Sequence, residues 1–392
     1  MSAPFVIVGA GQAAAQAIVS LRAEGYGGEI VVIGDETHLP YQRPPLSKAF
    51  LAGEMSAERL ELKAPNFYRD AGVDVRLGTR AVRLLPAEKA VETDDGIRIP
   101  YERALIATGT RARALPVPGA DLPGVFSIRS IDDVARFRAA AQPGAKLVIV
   151  GGGYIGLEVA AKARKMGLDV TVVEGQSRVL ARVACDVISR YATDLQLAHG
   201  VEVLTSTGVA AIAGPERVRG VELATGALLP ADLVLSAVGA VPNLELAAAA
   251  GLAIENGVKV DASTRTSDPF IFAAGDVCSF PSALYGRRVR LESVQNAIDQ
   301  AKAAAKAMLG GAVVYDPVPW FWSDQYDTKL QIAGLLDGFD RTECEGDVAA
   351  GRFCVRYFAA DRLLAVCSVN DPKSHMLARR ALAAPLAQGS AA

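Results

Sequence analysis

The sequence lacks every cysteine spacing that would support dithiol chemistry or a zinc knuckle. Its five cysteines, spread over 392 residues, never occur as Cys-x-x-Cys or Cys-x4-Cys, the kind of spacing found in redox dithiols and zinc sites. An odd cysteine count in a long chain also fits a reducing cytoplasm better than a disulfide framework. We therefore expect a cytoplasmic protein with no redox-active dithiol and no metal site.

Long apolar runs, a net charge of one sign and an export signal are missing as well. No apolar run reaches the ~18–20 residues of a membrane helix, so no membrane association is expected. The formal net charge is −2. A dedicated nucleic-acid binder carries a strong basic excess, so binding to nucleic acid is not expected. The first residues show no basic segment or cleavage site, so no signal peptide is predicted. At 51% hydrophobic and 21% charged, the chain is typical of a globular protein of two or three domains.

The sequence does contain one strand–turn–helix pattern twice. The first copy has an apolar strand at Phe5–Val8, a helix over 12–24 and a strand at Ile30–Ile33. The second copy has a strand over 147–150 and a helix over 154–166. Both are βαβ units, which indicate a parallel sheet covered by helices. Their turns lie 142 positions apart (151 − 9), which favours two separate nucleotide-binding domains over a repeat array.

The first turn reads G-x-G-x-x-A, a pattern that binds dinucleotides when it joins a strand to a helix. Gly9 permits the tight turn, Gly11 lets the backbone approach a pyrophosphate, and Ala14 allows close helix–strand packing. The helix N-terminus offers free N–H groups and a positive dipole end to the phosphates. Asp35, with Glu36 beside it, follows the next strand, where a carboxylate binds the adenosine ribose. A glycine-rich turn without a ligand is the alternative.

The second turn, Gly151-Gly-Gly153-Tyr-Ile-Gly156, has Glu174 at the end of the following strand. The separation of 23 positions (174 − 151) is close to the ~20 of such sites. A carboxylate there accepts hydrogen bonds from a ribose 2′-OH and repels a 2′-phosphate, so NADH is favoured over NADPH, although Arg178 lies close in sequence. Two dinucleotide folds bring a hydride donor to its acceptor. We therefore predict a bound FAD and an exchanging NADH, with a second FAD or AMP-type site as the alternative.

Four motifs together resemble the glutathione-reductase-type flavoprotein superfamily. They are the two glycine-rich turns, Ala107-Thr-Gly109 and the strand ending Ala274-Gly-Asp276. The resemblance implies that the Asp276 carboxylate holds the ribityl chain of the flavin. Disulfide reductases of this superfamily carry a cysteine pair, and coenzyme-A-disulfide reductases and NADH oxidases a single cysteine, in the region of residues 44–48. This chain has no cysteine there, so thiol chemistry is not expected.

Further segments resemble the ferredoxin reductases of bacterial oxygenase systems, over essentially the whole chain. They are Pro44-Pro-Leu-Ser-Lys48, Arg129, Glu292-Ser-Val294 and Trp320-Phe-Trp-Ser-Asp-Gln-Tyr326. The family often has Pro at the position of Gln295, which leaves the loop geometry there open. The resemblance implies hydride transfer from NADH to FAD, followed by single-electron transfer to a [2Fe–2S] ferredoxin that serves a cytochrome P450 or a Rieske dioxygenase.

The fold class expected is α/β, with two Rossmann-like three-layer nucleotide-binding domains plus a C-terminal α+β domain. We predict a discontinuous FAD-binding domain of residues 1–111 and 245–318 and an NADH-binding domain of residues 112–244. Residues 319–392 would form the C-terminal domain, with a frayed tail over 388–392. Both a monomer and a weak homodimer are compatible with the sequence.

The resemblance also assigns roles to single residues. Lys48 and Glu158, the predicted catalytic residues, would form an ion pair near flavin N5, where a cation stabilises the reduced, anionic flavin. Arg129 would bind the phosphates or the adenine end of FAD, and Val294 would contact the ring through its backbone N–H. The full FAD set is Gly9, Gly11, Ala13, Ala14, Asp35, Arg43, Pro45, Lys48, Ala81, Thr108, Gly109, Arg129, Asp276, Val294, Trp320 and Trp322. The full NADH set is Gly151, Gly153, Tyr154, Ile155, Gly156, Glu158, Glu174, Arg182 and Gly239.

The sequence leaves several residue roles and alternative functions open. One of the two tryptophans, Trp320 and Trp322, would cover the flavin, but core packing explains such residues equally well. The basic cluster 287–290, with Lys302 and Lys329, is either a solvated surface or part of a docking site for an acidic ferredoxin. Alternative functions are a rubredoxin reductase, an NADH diaphorase, or a redox signalling protein resembling apoptosis-inducing factor.

Overall fold

The computed structural model describes residues 3–383, which divide into two compact units. The first unit contains the described residues up to Gln42, Glu58–Arg111 and Val241–Pro319. The second contains Arg43–Ala57, Ala112–Ala240 and the described residues from Trp320 onward. The three-domain division stays a prediction, and the tail over 388–392 lies outside the described residues.

The elements alternate between short strands and helices, as the βαβ pattern predicts. The helices are α1 (Gln12–Ala23), α2 (Pro65–Asp70), α3 (Ile131–Ala140), α4 (Tyr154–Lys165), α5 (Asp186–Ala198), α6 (Glu245–Ala249), α7 (Val294–Met308) and α8 (Pro372–Ala383). The strands are β1 (Phe5–Val8), β2 (Ile30–Ile33), β3 (Val73–Arg76), β4 (Ala81–Leu85), β5 (Ala90–Thr93), β6 (Arg98–Pro100), β7 (Arg103–Ile106), β8 (Thr110–Ala112), β9 (Val125–Phe126), β10 (Lys146–Val150), β11 (Asp169–Val173), β12 (Glu202–Leu204), β13 (Val209–Ala213), β14 (Gly220–Leu223), β15 (Leu228–Pro230), β16 (Leu233–Ser236), β17 (Ala240–Pro242), β18 (Val258–Lys259), β19 (Ile271–Ala273), β20 (Cys278–Ser282), β21 (Arg287–Val289), β22 (Trp320–Gln325), β23 (Thr328–Gly334), β24 (Arg341–Asp347), β25 (Arg352–Ala359) and β26 (Arg362–Val369). A 3₁₀ turn, Pro44–Ser47, precedes Lys48.

The first unit is built on a parallel sheet with the strand order β19-β7-β1-β2-β3. Every residue of β1 and β2 is buried, as expected for strands covered on both faces. Helices α1 and α7 pack against each other and against the sheet, since Ile18 of α1 and Ala301 of α7 belong to the same core cluster as Ile7. The register aligns Val8 with Ile106 of β7, and Ile106 with Ala273 of β19. The loops after these three strands therefore meet at one edge of the sheet.

The second unit contains a parallel sheet of the order β12-β11-β10-β16-β9 and an antiparallel sheet of the order β22-β23-β26-β25-β24. In the parallel sheet Val150 lies opposite Val173 and Ser236, so the residues that follow these three also meet at one edge. Helix α8 packs against β23 and β26 of the antiparallel sheet. The predicted fold class is confirmed. Within residues 3–383, no helix combines the length and apolar content needed to cross a membrane.

Candidate functional site

The first glycine-rich turn has the shape that a dinucleotide phosphate requires. Gly9 adopts a φ of +109°, and a Cβ on it would lie 2.3 Å from the carbonyl oxygen of Ala107, so only glycine fits between β1 and β7. Gly11, the N-cap of α1, differs because no described atom lies within 4 Å of a Cβ built on it. The space beyond Gly11 is therefore open, and the first N–H groups of α1 face it without intrahelical partners. These residues fit the pyrophosphate of FAD.

The Asp276 turn lies beside the same helix. A Cβ on Gly275 would come 3.4 Å from the Cβ of Ala13 in α1, and the Gly275 N–H donates to Gln300 Oε1 of α7 at 2.8 Å. Thr110 Oγ1 donates to the Asp276 carboxylate at 3.2 Å. The structure thus brings the G-x-G-x-x-A turn and the Gly-Asp turn together, and Thr110 is a contact of Asp276 that the sequence reading missed.

Two further members of the FAD set are held by a single asparagine. The hydroxyl of Thr108 donates to the Asn243 carbonyl at 3.0 Å, and Asn243 Nδ2 donates back to the Thr108 carbonyl at 2.8 Å. The Asn243 N–H also donates to the carbonyl of Gly109, whose φ is +60°. Asn243 closes the loop after β7, and nothing in the local sequence indicated that role.

Val294 is the first residue of α7, and Ser293 caps the helix by accepting the Asn296 N–H at 3.1 Å. The Val294 N–H is therefore one of the four at a helix start without an intrahelical partner, as a backbone contact to a flavin would require. Gln295 continues the helix and donates to Asp299 at 2.6 Å. The loop geometry is settled: Gln in place of Pro leaves the start of the helix regular.

The ribose end of the first site lies after β2. Asp35 is exposed there, whereas the Glu36 carboxylate accepts the Tyr41 hydroxyl at 2.5 Å, and Asp35 stays the predicted ribose acceptor. Ala81 belongs to another sheet, but Thr79, two residues before it, donates its N–H to the Gly34 carbonyl. The chain therefore passes Ala81 near the end of β2.

The second glycine-rich turn repeats the geometry of the first. A Cβ on Gly151 would lie 2.5 Å from the Ala237 carbonyl oxygen, and one on Gly156 would lie 2.2 Å from that of Gly151. Gly153, the N-cap of α4, has no described atom within 4 Å of its Cβ position. Because close packing is needed at Gly151 and Gly156 while open space remains at Gly153, this turn also fits a dinucleotide phosphate.

The carboxylate of Glu174 is held by two backbone amides. Oε2 accepts the Gly152 N–H and Oε1 accepts the Gln176 N–H, both at 2.8 Å. The guanidinium of Arg178 points to other groups, because it donates to the Ala184 carbonyl at 2.7 Å and to Ser189 Oγ at 2.6 Å. Arg178 Nε also lies 2.9 Å from Asp186 Oδ1, so the charge of Arg178 is paired at the start of α5, whereas the Glu174 carboxylate is held by neutral N–H groups.

The remaining members of the NADH set divide into surface and packing residues. Ile155 is 51% exposed beside the turn, and the guanidinium of Arg182 lies 3.9 Å from a Cβ built on Gly239. The Tyr154 ring packs against Phe321, with the ring centroids 4.9 Å apart, and burial raises the pKa of its hydroxyl well above its usual value. The side chain of Tyr154 therefore belongs to the packing of β22 on α4.

The second unit also contains a buried ion pair close to the turn. Glu158, one helical turn into α4, is 3% exposed, and its Oε2 lies 2.6 Å from Lys48 Nζ. Ser47 Oγ donates to the same oxygen at 2.5 Å, and Ser323 Oγ donates to Oε1 at 2.6 Å. Burying a charge is costly unless it is paired and hydrogen-bonded, and these three donors meet that requirement. Pairing of Lys48 with Glu158 matches the prediction, whereas the two serines were missed.

Two predicted FAD residues of the second unit lie next to each other. Arg43 Nη1 donates to the Arg129 carbonyl at 2.6 Å, and the Arg129 N–H donates to Asp133 Oδ2 at 3.0 Å. Pro45 accepts the Lys48 N–H at 3.0 Å within the 3₁₀ turn. The turn therefore carries Arg43, Pro45 and Lys48 as one local structure.

The structure distinguishes the two tryptophans. Their ring centroids are 5.9 Å apart, but the Trp320 ring is also 4.6 Å from the guanidinium of Arg379 and 5.7 Å from the ring of His375, both in α8. Burial, reinforced by the charge of Arg379, lowers the pKa of His375, so this histidine is neutral near pH 7. Trp320 is therefore packed against α8, and contact of either tryptophan with a flavin stays a prediction.

The basic cluster 287–290 is largely engaged within the first unit. Arg288 Nη2 donates to the Val260 carbonyl at 2.6 Å, and Arg290 Nη1 donates to Glu292 at 2.7 Å and to the Asp276 carbonyl at 3.1 Å. Lys302 is exposed but lies 3.2 Å from Asp299. Arg288 and Arg290 are therefore held by groups of their own unit, and a role of this cluster in docking a ferredoxin stays a prediction.

The fold and these sites define an oxidoreductase that binds two dinucleotides. The family described as "Pyridine nucleotide-disulphide oxidoreductase" matches residues 3–301, and "Reductase C-terminal" matches residues 320–391. The chain is 45% identical over 380 residues to rhodocoxin reductase of Rhodococcus erythropolis, covering 97% of this chain and 89% of that protein. It is 40% identical to the anthranilate 1,2-dioxygenase system ferredoxin–NAD(+) reductase component of Burkholderia cepacia, covering 97% and 94%.

Among solved structures, that of a covalent putidaredoxin reductase–putidaredoxin complex matches with a TM-score of 0.94 and 39% identity, covering 97% of this chain and 93% of that one. The chain belongs to the pyridine nucleotide-disulphide oxidoreductase family, and within it to the ferredoxin reductases of bacterial oxygenase systems. The resemblance stated from the sequence motifs is confirmed.

Proposed function

We propose that this protein takes a hydride from NADH through bound FAD and passes electrons one at a time to a [2Fe–2S] ferredoxin that serves a cytochrome P450 or a Rieske dioxygenase. The observation that carries the proposal is the pair of equivalent turns, in which Gly11 and Gly153 each leave open space at a helix N-terminus. The relatives' names point to the same chemistry. With all five thiols free and no Cys-x-x-Cys in the chain, a dithiol relay has no support.

Each group of residues has a defined task in this proposal. Bound FAD would supply an acceptor that takes two electrons as a hydride and releases them singly. The helix starts at Gly11 and Gly153 would bind the two pyrophosphates, and Asp276 would orient the flavin. Lys48, held in place by Glu158, would provide a fixed positive charge where negative charge develops during hydride transfer. Hydride transfer between two cofactors needs positioning more than an acid or a base.

The partner assignment is tested with the purified yellow protein. We expect NADH-dependent reduction of cytochrome c to rise at least about tenfold when a [2Fe–2S] ferredoxin is added, because the ferredoxin accepts single electrons from the flavin. NADPH is the nucleotide control. If NADH reduces the flavin but neither plant-type nor Rieske-type ferredoxins stimulate cytochrome c reduction, the function becomes that of a rubredoxin reductase or a diaphorase. A long-lived charge-transfer complex with NADH would instead favour the signalling alternative.

The nucleotide preference is assigned to Glu174. Replacing it by Gln keeps an oxygen that can accept the Gly152 N–H but removes the charge that repels a 2′-phosphate. We expect the ratio of kcat/KM for NADH over NADPH, measured with ferricyanide as acceptor, to fall about tenfold, which corresponds to ~1.4 kcal/mol. An unchanged ratio in the folded variant would assign the preference to another residue.

The domain roles follow from the same proposal. FAD is assigned to residues 1–111 and 245–318, NADH to residues 112–244, and residues 319–392 form the C-terminal domain. The interval between the two family matches, 302–319, supports a boundary near residue 319. The cytoplasm is the proposed compartment, supported by five free thiols. The proposed state in solution is a monomer or a weak homodimer.

A further inference from the structure

Glu158 is the meeting point of three segments that are remote in sequence. Ser47, the last residue of the 3₁₀ turn, and Lys48, which follows it, donate to Oε2, and Ser323 of strand β22 donates to Oε1. Ser323 is itself fully buried. A carboxylate buried in this way has a defined orientation only while both oxygens are engaged. Lys48 binds Oε2, so the position of Oε1 depends on the hydrogen bond from Ser323.

One face of strand β22 packs against helix α4. Successive side chains of a strand point to opposite faces, which places Phe321, Ser323 and Gln325 together. Phe321 packs on Tyr154, at the first residue of α4. Gln325 Oε1 accepts Gln196 Nε2 at 3.0 Å, and the same nitrogen donates to the carbonyl of Leu157 at 3.1 Å.

Ser323 therefore sits between two anchors that prevent the strand from sliding along the helix. The opposite face of β22 carries Trp320 and Trp322. One strand thus connects the carboxylate of Glu158 on one side with both tryptophans on the other.

We infer that Ser323 is a positioning residue for hydride transfer, acting through Glu158 on the charge of Lys48. This inference rests on the proposed function. When the Ser323 hydroxyl is removed, Oε1 loses its donor inside a buried site, and the carboxylate turns toward the 3₁₀ turn or recruits water. The Lys48 ammonium, which is bound to that carboxylate, then shifts from the position where its charge acts. Ser47 supports Oε2 in the same way from the turn.

A double-mutant cycle separates this role from simple packing. The variants are Ser323→Ala, Glu158→Gln and the combination, and the measurement is the limiting rate of flavin reduction by NADH in anaerobic stopped flow. We expect Ser323→Ala to lower the limiting rate about tenfold, as loss of one charge-assisted hydrogen bond allows, with the Kd for NADH changed less than about twofold. In the Glu158→Gln background the same substitution should change the rate by less than about twofold.

Ser368→Ala is the matched control. Ser368 is also fully buried in the same sheet, but its hydroxyl donates to the Gln331 carbonyl at 3.3 Å and it is remote from Glu158 in the strand order. Its flavin reduction rate should equal that of the wild type. Thermal melting of the holoenzyme reports the folding of every variant. If Ser323→Ala does not fold, Ser323→Cys replaces it in the cycle, since a thiol fills the space of the hydroxyl but is only a weak donor.

The outcomes are distinct. A wild-type rate in Ser323→Ala, or an equal loss in the wild-type and Glu158→Gln backgrounds, overturns the inference, because the effect would then not pass through the carboxylate. If Glu158→Gln and Lys48→Met both reduce flavin at the wild-type rate, the proposed role of the ion pair fails, independently of Ser323. A slow Glu158→Gln together with a fast Ser323→Ala refutes the positioning role alone.

Discussion

Replacing Lys48 by Met is expected to lower the limiting rate of flavin reduction by NADH about 100-fold, with little change in the Kd for NADH. Removing one preorganised electrostatic group from an active site costs about 10²–10³ in rate, and the Lys48 ammonium is fixed by Glu158 at 2.6 Å. The same variant leaves a buried carboxylate without its counter-ion. Breaking a buried pair in this way costs about 3–5 kcal/mol of folding free energy, so thermal melting of the holoenzyme should fall clearly.

The double variant Lys48→Met/Glu158→Gln separates the two effects. A neutral amide can accept from one serine hydroxyl through its oxygen and donate to the other through its nitrogen, so much of the lost stability should return. The rate should stay low, because the cation is still absent. If stability and rate recover together, Lys48 contributes to folding alone and its catalytic assignment is wrong.

Lys162 offers a matched control for Lys48. It belongs to the same helix as Glu158 and pairs with Glu54 at 3.0 Å, but Glu54 is half exposed. Exposed ion pairs contribute ~0–1 kcal/mol, so Lys162→Met should change neither the melting temperature by more than a few degrees nor the rate of flavin reduction.

Replacing Gly153 by Val is expected to raise the Kd for NADH at least about 100-fold in a folded protein that keeps its FAD. Gly153 has a φ of −81° and a ψ of −179°, an extended conformation that valine adopts readily. Its side chain would enter the open space at the start of α4, where the pyrophosphate is proposed to bind. Loss of even two charge-assisted hydrogen bonds, at about 1.5–3 kcal/mol each, accounts for this change in affinity. Titration of the anaerobic holoenzyme with NADH measures it.

Substitutions at two other glycines serve as controls for Gly153→Val. Gly156→Val should destabilise the second unit, because its Cβ would lie 2.2 Å from the Gly151 carbonyl oxygen. Gly27→Val should leave the Kd for NADH unchanged. No described atom lies within 4 Å of the Gly27 Cβ position, and Gly27 is exposed in a loop of the first unit. Wild-type NADH affinity in folded Gly153→Val would place the nucleotide elsewhere.

Much of the framework was predictable because its causes are local. An apolar run of four residues at Phe5–Val8 and another at Ile30–Ile33 become strands with those same limits. The helix predicted over 154–166 is observed as Tyr154–Lys165. Gly9 and Gly151 lie against the carbonyl oxygens of Ala107 and Ala237, which are remote in sequence, but the spacing of the glycines after a strand identifies both turns. That spacing and the apolar runs are properties of short segments, so the residues themselves reveal them.

The site was predictable only in part, because its contacts depend on packing. The association of Lys48 with Glu158 came from a family resemblance; their positions, 110 residues apart, carry no local signal. Ser47 and Ser323 were not predicted, because a serine beside Lys48 or after Trp322 carries no sequence signal of its own. The hydrogen bonds from Arg178 and Arg288 to backbone carbonyls were equally unpredictable, since the sequence does not show which carbonyls folding brings to a guanidinium.

The sequence by itself therefore determined the fold class, the two dinucleotide turns and the family. Turn geometry and strand burial depend on residue types over a few positions, and those are written directly in the chain. The tertiary structure alone decided how Glu158 is satisfied, which tryptophan is packed against α8, and that residues 43–57 belong with the second unit. A buried carboxylate must find its hydrogen-bond donors wherever folding brings them. Ser323, 165 residues away in sequence, becomes its partner only when β22 lies against α4.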